Sequence, residues 1–233
     1  MQLFYFSVDP SGGAYLDSNE SKHCIKVLRH QAGDQIHGVD GKGTKYTAVI
    51  DAANRDRVSL TILDREINWG EHPYEVHLAV SPLRLRDRFE WLLEKAVELG
   101  VTRIQPVICQ RTIRTQFKTE RFQKILLSAL KQSMRSRLPV LSSPIPLVTY
   151  CQQVGPQMLF FQANSLDTLG NHKDDISQQS TFHLVIGPEG DFSPEEIALL
   201  ETTGKGLSLG SNRLRTETAA IHALSSVKLI KGW

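Results

Sequence analysis

The chain has few of the residues that mark several common protein classes, and each shortage narrows its function. Only three cysteines are present, Cys24, Cys109 and Cys151, and no two form a C-x-x-C pair. This argues against a disulfide framework or a thiolate metal site and implies a reducing, cytoplasmic setting. No apolar run approaches the roughly 20 residues needed to span a membrane. Residues Met1–Pro10 lack the basic start and small-residue cleavage site of a secretory signal, so a soluble protein with no membrane partner is expected. The G-x-G-x-x-G, G-x-x-x-x-G-K-[ST], H-E-x-x-H and G-x-S-x-G patterns are absent, which leaves dinucleotide oxidoreductase, NTPase, metalloprotease and hydrolase readings without support. The eight histidines are scattered and suggest no metal site. Charge of one sign is also missing: 27 Lys and Arg stand against 25 Asp and Glu, a net of +2. Any nucleic-acid binding must therefore come from local clusters.

What is present fits two unequal domains in 233 residues that are 40% hydrophobic. The first 68 residues read as strands at Leu3 to Phe6, Gln35 to Val39, Thr44 to Asp51 and Arg57 to Leu63. Val58, Leu60 and Ile62 alternate with polar neighbours, and Asp40-Gly41-Lys42-Gly43 makes a hairpin turn. A small barrel is expected. One helix is expected over Ser21 to Arg29, with Ile25 and Leu28 on one face and Lys22, His23, Lys26, Arg29 and His30 as donors; taken alone, these donors suit a solvated face. Trp69-Gly70-Glu71-His72-Pro73 breaks regular structure, which predicts domains over 1–70 and 73–233.

After this break strands and helices alternate, which implies parallel pairing. Val76 to Val80 and Ile104 to Cys109 read as strands. Residues 86–99 form an amphipathic helix on Phe89, Leu92, Leu93, Ala96 and Val97, closed by Gly100, and Lys118 to Ser133 repeats the spacing. Met158 to Phe161 is a further apolar run, and Asn164 to Thr181 is read as a loop with one short helix. The strand Phe182 to Ile186 leads through Gly187-Pro188-Glu189-Gly190 to Ser193-Pro194-Glu195-Glu196, a capping box with proline at the first helical position. Gly204 to Gly206 ends that helix, Leu207 to Leu209 is a short strand, and Thr216 is expected to cap a last helix with Ala220, Leu224 and Val227 on one face.

Two glycine-bearing turns that each follow a strand place backbone groups at neighbouring strand ends, where open α/β sheets bind ligands. Gly187-Pro188-Glu189-Gly190 alone could be any tight turn. The run Leu209-Gly210-Ser211-Asn212-Arg213-Leu214-Arg215-Thr216-Glu217-Thr218-Ala219-Ala220 is less ordinary. Thr216 as a cap and Glu217 as a first-turn acid leave Arg213 and Arg215 unexplained. Further basic groups stand at Arg84, Arg86 and Arg88, at Arg111, Arg114, Lys118, Arg121 and Lys124, and at Lys131, Arg135 and Arg137. Together these groups suit a phosphate backbone, which makes RNA a plausible partner.

At these residues the chain resembles the RsmE-type 16S ribosomal RNA uridine N3-methyltransferases of the SPOUT, or α/β-knot, superfamily. The similarity lies in His23 to Arg29 with Gly33-Asp34, Lys95 to Val101, Gln132-Ser133 with Arg135, Ile186 to Gly190 with Phe192-Ser193, and Leu207 to Ala220. Departures are Asp191 where the family usually has glycine, Lys131 where it usually has an acid, and Met134 where glycine is common. The resemblance implies an α/β fold: a SPOUT-type trefoil-knotted parallel sheet with helices on both faces, preceded by a small PUA-like β-barrel that binds RNA. It also implies S-adenosylmethionine as methyl donor and a homodimer acting on 16S ribosomal RNA or the small ribosomal subunit. The implied cofactor residues are Phe161, Ile186, Gly187, Glu189, Gly190, Ser208, Leu209, Gly210, Leu214 and Thr216. The implied RNA contacts are Lys22, Arg29, Arg84, Arg86, Arg135 and Arg213. Arg215 and Glu217 are the catalytic candidates. The rival readings are a knotted methyltransferase acting on transfer RNA and a non-catalytic RNA-binding ribosome assembly factor.

Overall fold

The computed structural model describes residues 1–9, 12–113, 116–163 and 165–233. Arg114, one of the basic group around Arg111, lies outside the described residues. The chain forms two compact units, residues 1–71 with 127–138, and residues 72–126 with 139–233.

The first unit contains β1 (Leu3–Tyr5), β2 (Ser7–Val8), β3 (Ala14–Leu16), α1 (Ser18–Lys22), β4 (Gln35–Val39), β5 (Thr44–Ala53) and β6 (Val58–Ile67). Its strands run in the order β1-β4-β5-β6-β3-β2. Only Phe6 separates β1 from β2, so one extended segment supplies both edges and the sheet curls into a barrel. Phe4, Phe6, Leu16, Ile36, Ile50 and Val58 fill the interior. Period-2 alternation makes this possible, because every second residue of a strand points to one face. The expected helix over Ser21 to Arg29 begins earlier. Asp17 caps α1 by accepting from the backbone N–H of Asn19 and Glu20, and the chain then widens into a π-helical turn over His23–Val27. Cys24, Cys109 and Cys151 are all buried free thiols.

The second unit follows with β7 (Glu75–Val80), α2 (Arg86–Glu98), β8 (Arg103–Ile108), α3 (Thr119–Gln132), β9 (Val140–Leu141), β10 (Ile145–Pro146), α4 (Leu147–Val154), β11 (Met158–Phe161), α5 (Lys173–Gln178), β12 (Thr181–Ile186), α6 (Pro194–Thr203), β13 (Gly204–Leu207) and α7 (Thr216–Ile230). The last residues of α3, from Leu127, belong to the first unit. All strand pairs in this unit are parallel, in the order β10-β8-β7-β12-β11-β13, with β9 also on β8. One face buries Ala79, Val107, Tyr150, Phe160, Val185 and Leu200 in a single cluster, where α4 and α6 pack. Alternation turns Leu78 and Leu184, paired in register, to the opposite face, where α7 packs on α2, β7 and β12.

Local chemistry sets the element ends. Ser193 and Glu196 form the expected reciprocal capping box, with Pro194 opening α6. β13 begins at Gly204 rather than at Leu207, because a Cβ at Gly204 would come within 2.6 Å of the Met158 carbonyl oxygen; glycine is what lets this edge strand pair with β11. Thr216 is not the cap of α7 but its first residue. Arg215 takes the cap position and makes no side-chain cap bond.

Candidate active site

Because β11, β12 and β13 are parallel neighbours, their carboxyl ends lie side by side: Phe161 is in register with Ile186 on one flank and with Leu207 on the other. The loops leaving these three ends enclose a cleft of about 630 Å³. Its size falls within the usual range for small-molecule sites. Phe161, Gln162 and Ala163 enter from β11, Ile186 through Glu189 with Asp191 from β12, and Leu209 through Thr216 from β13.

Each loop is fixed by bonds within the unit. In the β12 loop the Asp191 N–H donates to the Pro188 carbonyl (2.9 Å), while the Asp191 carboxylate accepts from the Phe192 N–H (2.8 Å). Arg111 reaches across from the segment after β8 and donates to the carbonyls of Gly190 (2.7 Å) and Phe192 (3.3 Å). Glu189 accepts from the Arg84 N–H through Oε1 (2.9 Å), whereas its Oε2 is buried without a hydrogen-bond partner among the described residues. The loops after β11 and β13 are tied together: the Ser208 N–H donates to the Asp167 carbonyl (2.6 Å) and the Ser165 hydroxyl to that of Gly206 (2.9 Å). Asn171 and His172 donate to the Asp167 carboxylate and hold its proton affinity well below the ordinary carboxylate value. Ser208 exchanges hydrogen bonds with Gly210 through its hydroxyl, closing the turn at the cleft mouth.

Charged groups line one side. Arg213 and Arg215 are exposed at the rim, and Arg88 enters from α2. Arg88 Nε lies 3.7 Å from Oε1 of Glu217, which is buried in the first turn of α7. Among the described residues no group of three or more His, Cys, Asp or Glu is placed to hold a metal, and no helix is long and apolar enough to cross a membrane.

Residues 70–228 match the family model described as an RNA methyltransferase domain, and residues 16–63 match an RNA methyltransferase PUA domain. The ribosomal RNA small subunit methyltransferase E of Rickettsia conorii is 30% identical over 92% of this chain and 89% of its own length. The chain belongs to the RsmE-type ribosomal RNA methyltransferase family. Among solved RsmE-type structures, the Neisseria gonorrhoeae enzyme bound to S-adenosyl methionine is 31% identical, with a TM-score of 0.87, over 98% of this chain and 97% of its own. A probable rRNA methyltransferase from Porphyromonas gingivalis is 30% identical, with a TM-score of 0.86, over 100% of this chain and 99% of its own. The fold is thus the expected one, a SPOUT-type knotted parallel sheet with a PUA-like barrel.

Of the residues that the family resemblance singled out, Phe161, Ile186, Gly187, Glu189, Leu209, Gly210, Leu214, Arg213, Arg215 and Thr216 converge on the cleft. Gly190 and Ser208 stand behind it, Gly190 packed against Arg111 and Ser208 as the strap just described. Glu217 is buried behind the wall. Lys22 and Arg29 are exposed on the barrel unit, and Arg86 pairs with Glu90 on α2. Arg135 is a correction: it is buried against Glu71, with Nη2 at 2.6 Å from Oε2, and presents no RNA-facing charge. Arg88, Gln162 and Asp191 line the cleft without having been singled out as site residues. Arg88 stood within a basic cluster, but nothing in the sequence links it to Glu217.

Proposed function

We infer that this protein methylates N3 of a specific uridine in 16S ribosomal RNA, with S-adenosylmethionine bound in the cleft at the ends of β11, β12 and β13. Family membership supports a small-subunit ribosomal RNA methyltransferase; the chemistry of the cleft supports the donor. Phe161, Ile186, Leu209 and Leu214 offer apolar surface. The buried Oε2 of Glu189, without a hydrogen-bond partner among the described residues, suits a ligand that brings positive charge or N–H donors. S-adenosylmethionine brings a sulfonium, an ammonium and an amino group. When bound, it supplies a methyl group already activated by the sulfonium centre, so the protein needs no covalent nucleophile.

The chain's own residues then have three tasks. The cleft loops hold the donor, and their mutual hydrogen bonds fix its orientation before the base arrives. The uridine must leave its stack to reach the cleft, and Arg213 and Arg215 at the rim take the flanking phosphates or the base. Arg215, which lines the cleft, orients the uracil or balances charge on its carbonyls as N3 loses its proton. Lys22 and Arg29 of the barrel unit add RNA contacts. The same reading makes the protein a cytoplasmic homodimer.

The observation that carries this proposal is the meeting of Arg213 and Arg215 with the three strand-end loops, two of them glycine-bearing, in one cleft. Mass mapping of 16S ribosomal RNA from cells with and without the gene tests it. Loss of one N3-methyluridine is expected. An unchanged 16S pattern refutes the assignment, and loss of a transfer RNA methyl group instead would redirect it.

A further inference from the structure

Two charged groups at the cleft have no part in holding its loops. Glu217 is only 7% exposed, and its Oε2 is buried with no hydrogen-bond partner among the described residues. Burying a carboxylate this way is costly unless a cation compensates it. Arg88 is the cation that faces it, with Nε 3.7 Å from Oε1. That separation holds the pair electrostatically but exceeds hydrogen-bond length, so the guanidinium's donors stay uncommitted. Arg88 makes no other ion pair or hydrogen bond among the described residues, and about a third of its side chain is exposed, toward the cleft it lines.

We propose that Arg88 is a catalytic residue and Glu217 its positioning residue. Oriented by Glu217 across the α2–α7 packing, the Arg88 guanidinium donates to a carbonyl oxygen of the target uracil and stabilises the negative charge that collects there. The proposal rests on the uridine N3 reading above. In that reaction the imide N–H bond breaks heterolytically. The proton passes to solvent water, and the electron pair stays on N3, shared with the two adjacent ring carbonyls, until N3 forms its bond to the methyl carbon; the S–CH3 bond of the donor breaks in the same step, its electron pair goes to sulfur, and the neutral thioether leaves. A cation fixed before the charge develops needs no reorganisation at the moment of reaction. Arg215 lacks that advantage: it is exposed and, among the described residues, its side chain makes no cap bond that holds it. Arg88 also accounts for the burial of the acid at 217, since a first-turn acid needs only a solvated position near the helix start, whereas the Glu217 Oε2 is buried with no hydrogen-bond partner among the described residues.

The test compares the native protein with Arg88→Ala, Arg88→Lys and Glu217→Gln. Methyl transfer to small-subunit RNA is measured at saturating RNA and donor, across the pH range in which the uracil N3 proton titrates. Calorimetry with S-adenosylmethionine and the unfolding midpoint are recorded for each protein. For Arg88→Ala the expected kcat is lower by about 10² to 10³-fold, the loss typical of one preorganised donor. Its KM for RNA changes little, and the rise of kcat with pH moves to higher pH. Arg88→Lys, or free guanidinium added to Arg88→Ala, restores part of the rate. Glu217→Gln shifts the pH profile in the same direction by a smaller amount. Cofactor affinity stays native in both Arg88 variants. A native kcat with a raised KM would make Arg88 a backbone contact and overturn the proposal. A lower kcat with an unmoved pH profile and no rescue, or a lost cofactor affinity, would make the pair structural and overturn it too. If the native protein itself leaves uridine N3 unmethylated, the functional reading falls, and this inference with it.

Discussion

Glu71 holds a whole turn through one carboxylate. Its Oε2 accepts from Arg135 Nη2 at 2.6 Å, and its Oε1 accepts from the backbone N–H groups of Ser136 and Arg137, each at 2.8 Å. Both charged side chains are about 95% buried. Removing one partner of such a pair strands the other charge and typically costs about 3–5 kcal/mol. Glu71→Ala is therefore expected to lower stability by that amount. The pair Lys45–Glu66, whose acid is about half exposed to solvent, is the control, where Glu66→Ala should cost less than about 1 kcal/mol. Chemical unfolding of both variants checks the contrast, and equal losses would show that burial is not the deciding term.

Met134 and Asp191, two of the three departures from the family pattern, both adopt positive φ, 58° and 63°. This is why glycine is common at these positions: a Cβ in the left-handed region costs roughly 1–2 kcal/mol. Asp191 offsets part of that cost by bonding the next N–H through its own carboxylate, whereas Met134 has no such bond. Met134→Gly should raise stability by about 1 kcal/mol, and Asp191→Gly should be near neutral. Denaturation midpoints decide. A destabilised Met134→Gly would mean that the packing of the Met134 side chain outweighs its backbone strain.

The third departure, Lys131, ion-pairs with Glu20, which also accepts from the Tyr5 N–H, so the changed charge is used locally within the first unit. Much else was legible along the chain, wherever the cause was local. The apolar run Met158–Phe161 is β11 to the residue, and the Ser193 capping box starts α6 where its spacing requires. The apolar spacing of Phe89, Leu92, Leu93, Ala96 and Val97 gave α2, and all five are buried. What escaped depends on distant partners. The two-residue strands β9 and β10 have no periodicity of their own and exist because β8 pairs them. Arg135 read as a surface cation because its partner stands 64 residues away. Arg88 and Glu217 meet only because α2 packs on α7. The cleft residues were legible through motif resemblance rather than through spacing, since strand-end loops carry no period.

Stability should depend on pH through His183. Its ring packs edge-on to His77 with centroids 4.6 Å apart, and Nδ1 lies 3.3 Å from the Tyr150 hydroxyl. Burial first, then the charges of His77 and Arg103, depress its proton affinity from an ordinary 6.5 to about 4. Between these values the unfolded chain binds the proton and the folded chain does not, so stability is present above about pH 6.5 and falls as pH drops toward 4. His183→Gln should flatten this slope. Urea unfolding at neutral pH and near pH 5 measures it, and an unchanged slope in the variant would assign the acid sensitivity to other groups.

Gly210 offers the cleanest separation of loop geometry from packing in the cleft. Its φ is +116°, and a Cβ there would meet nothing within 4 Å, so alanine brings backbone strain without a clash. The strain is roughly 1–2 kcal/mol. In the free protein the loop can relax by letting the Ser208–Gly210 bonds loosen. Ligand binding must then restore the native turn, so the cost moves from stability to affinity. Gly210→Ala should keep its unfolding midpoint and bind S-adenosylmethionine about tenfold more weakly, the equivalent of about 1.4 kcal/mol. Calorimetry reads this directly. Native affinity in the variant would show that the cofactor does not use this turn, and a lowered midpoint would show that the turn cannot relax without the ligand.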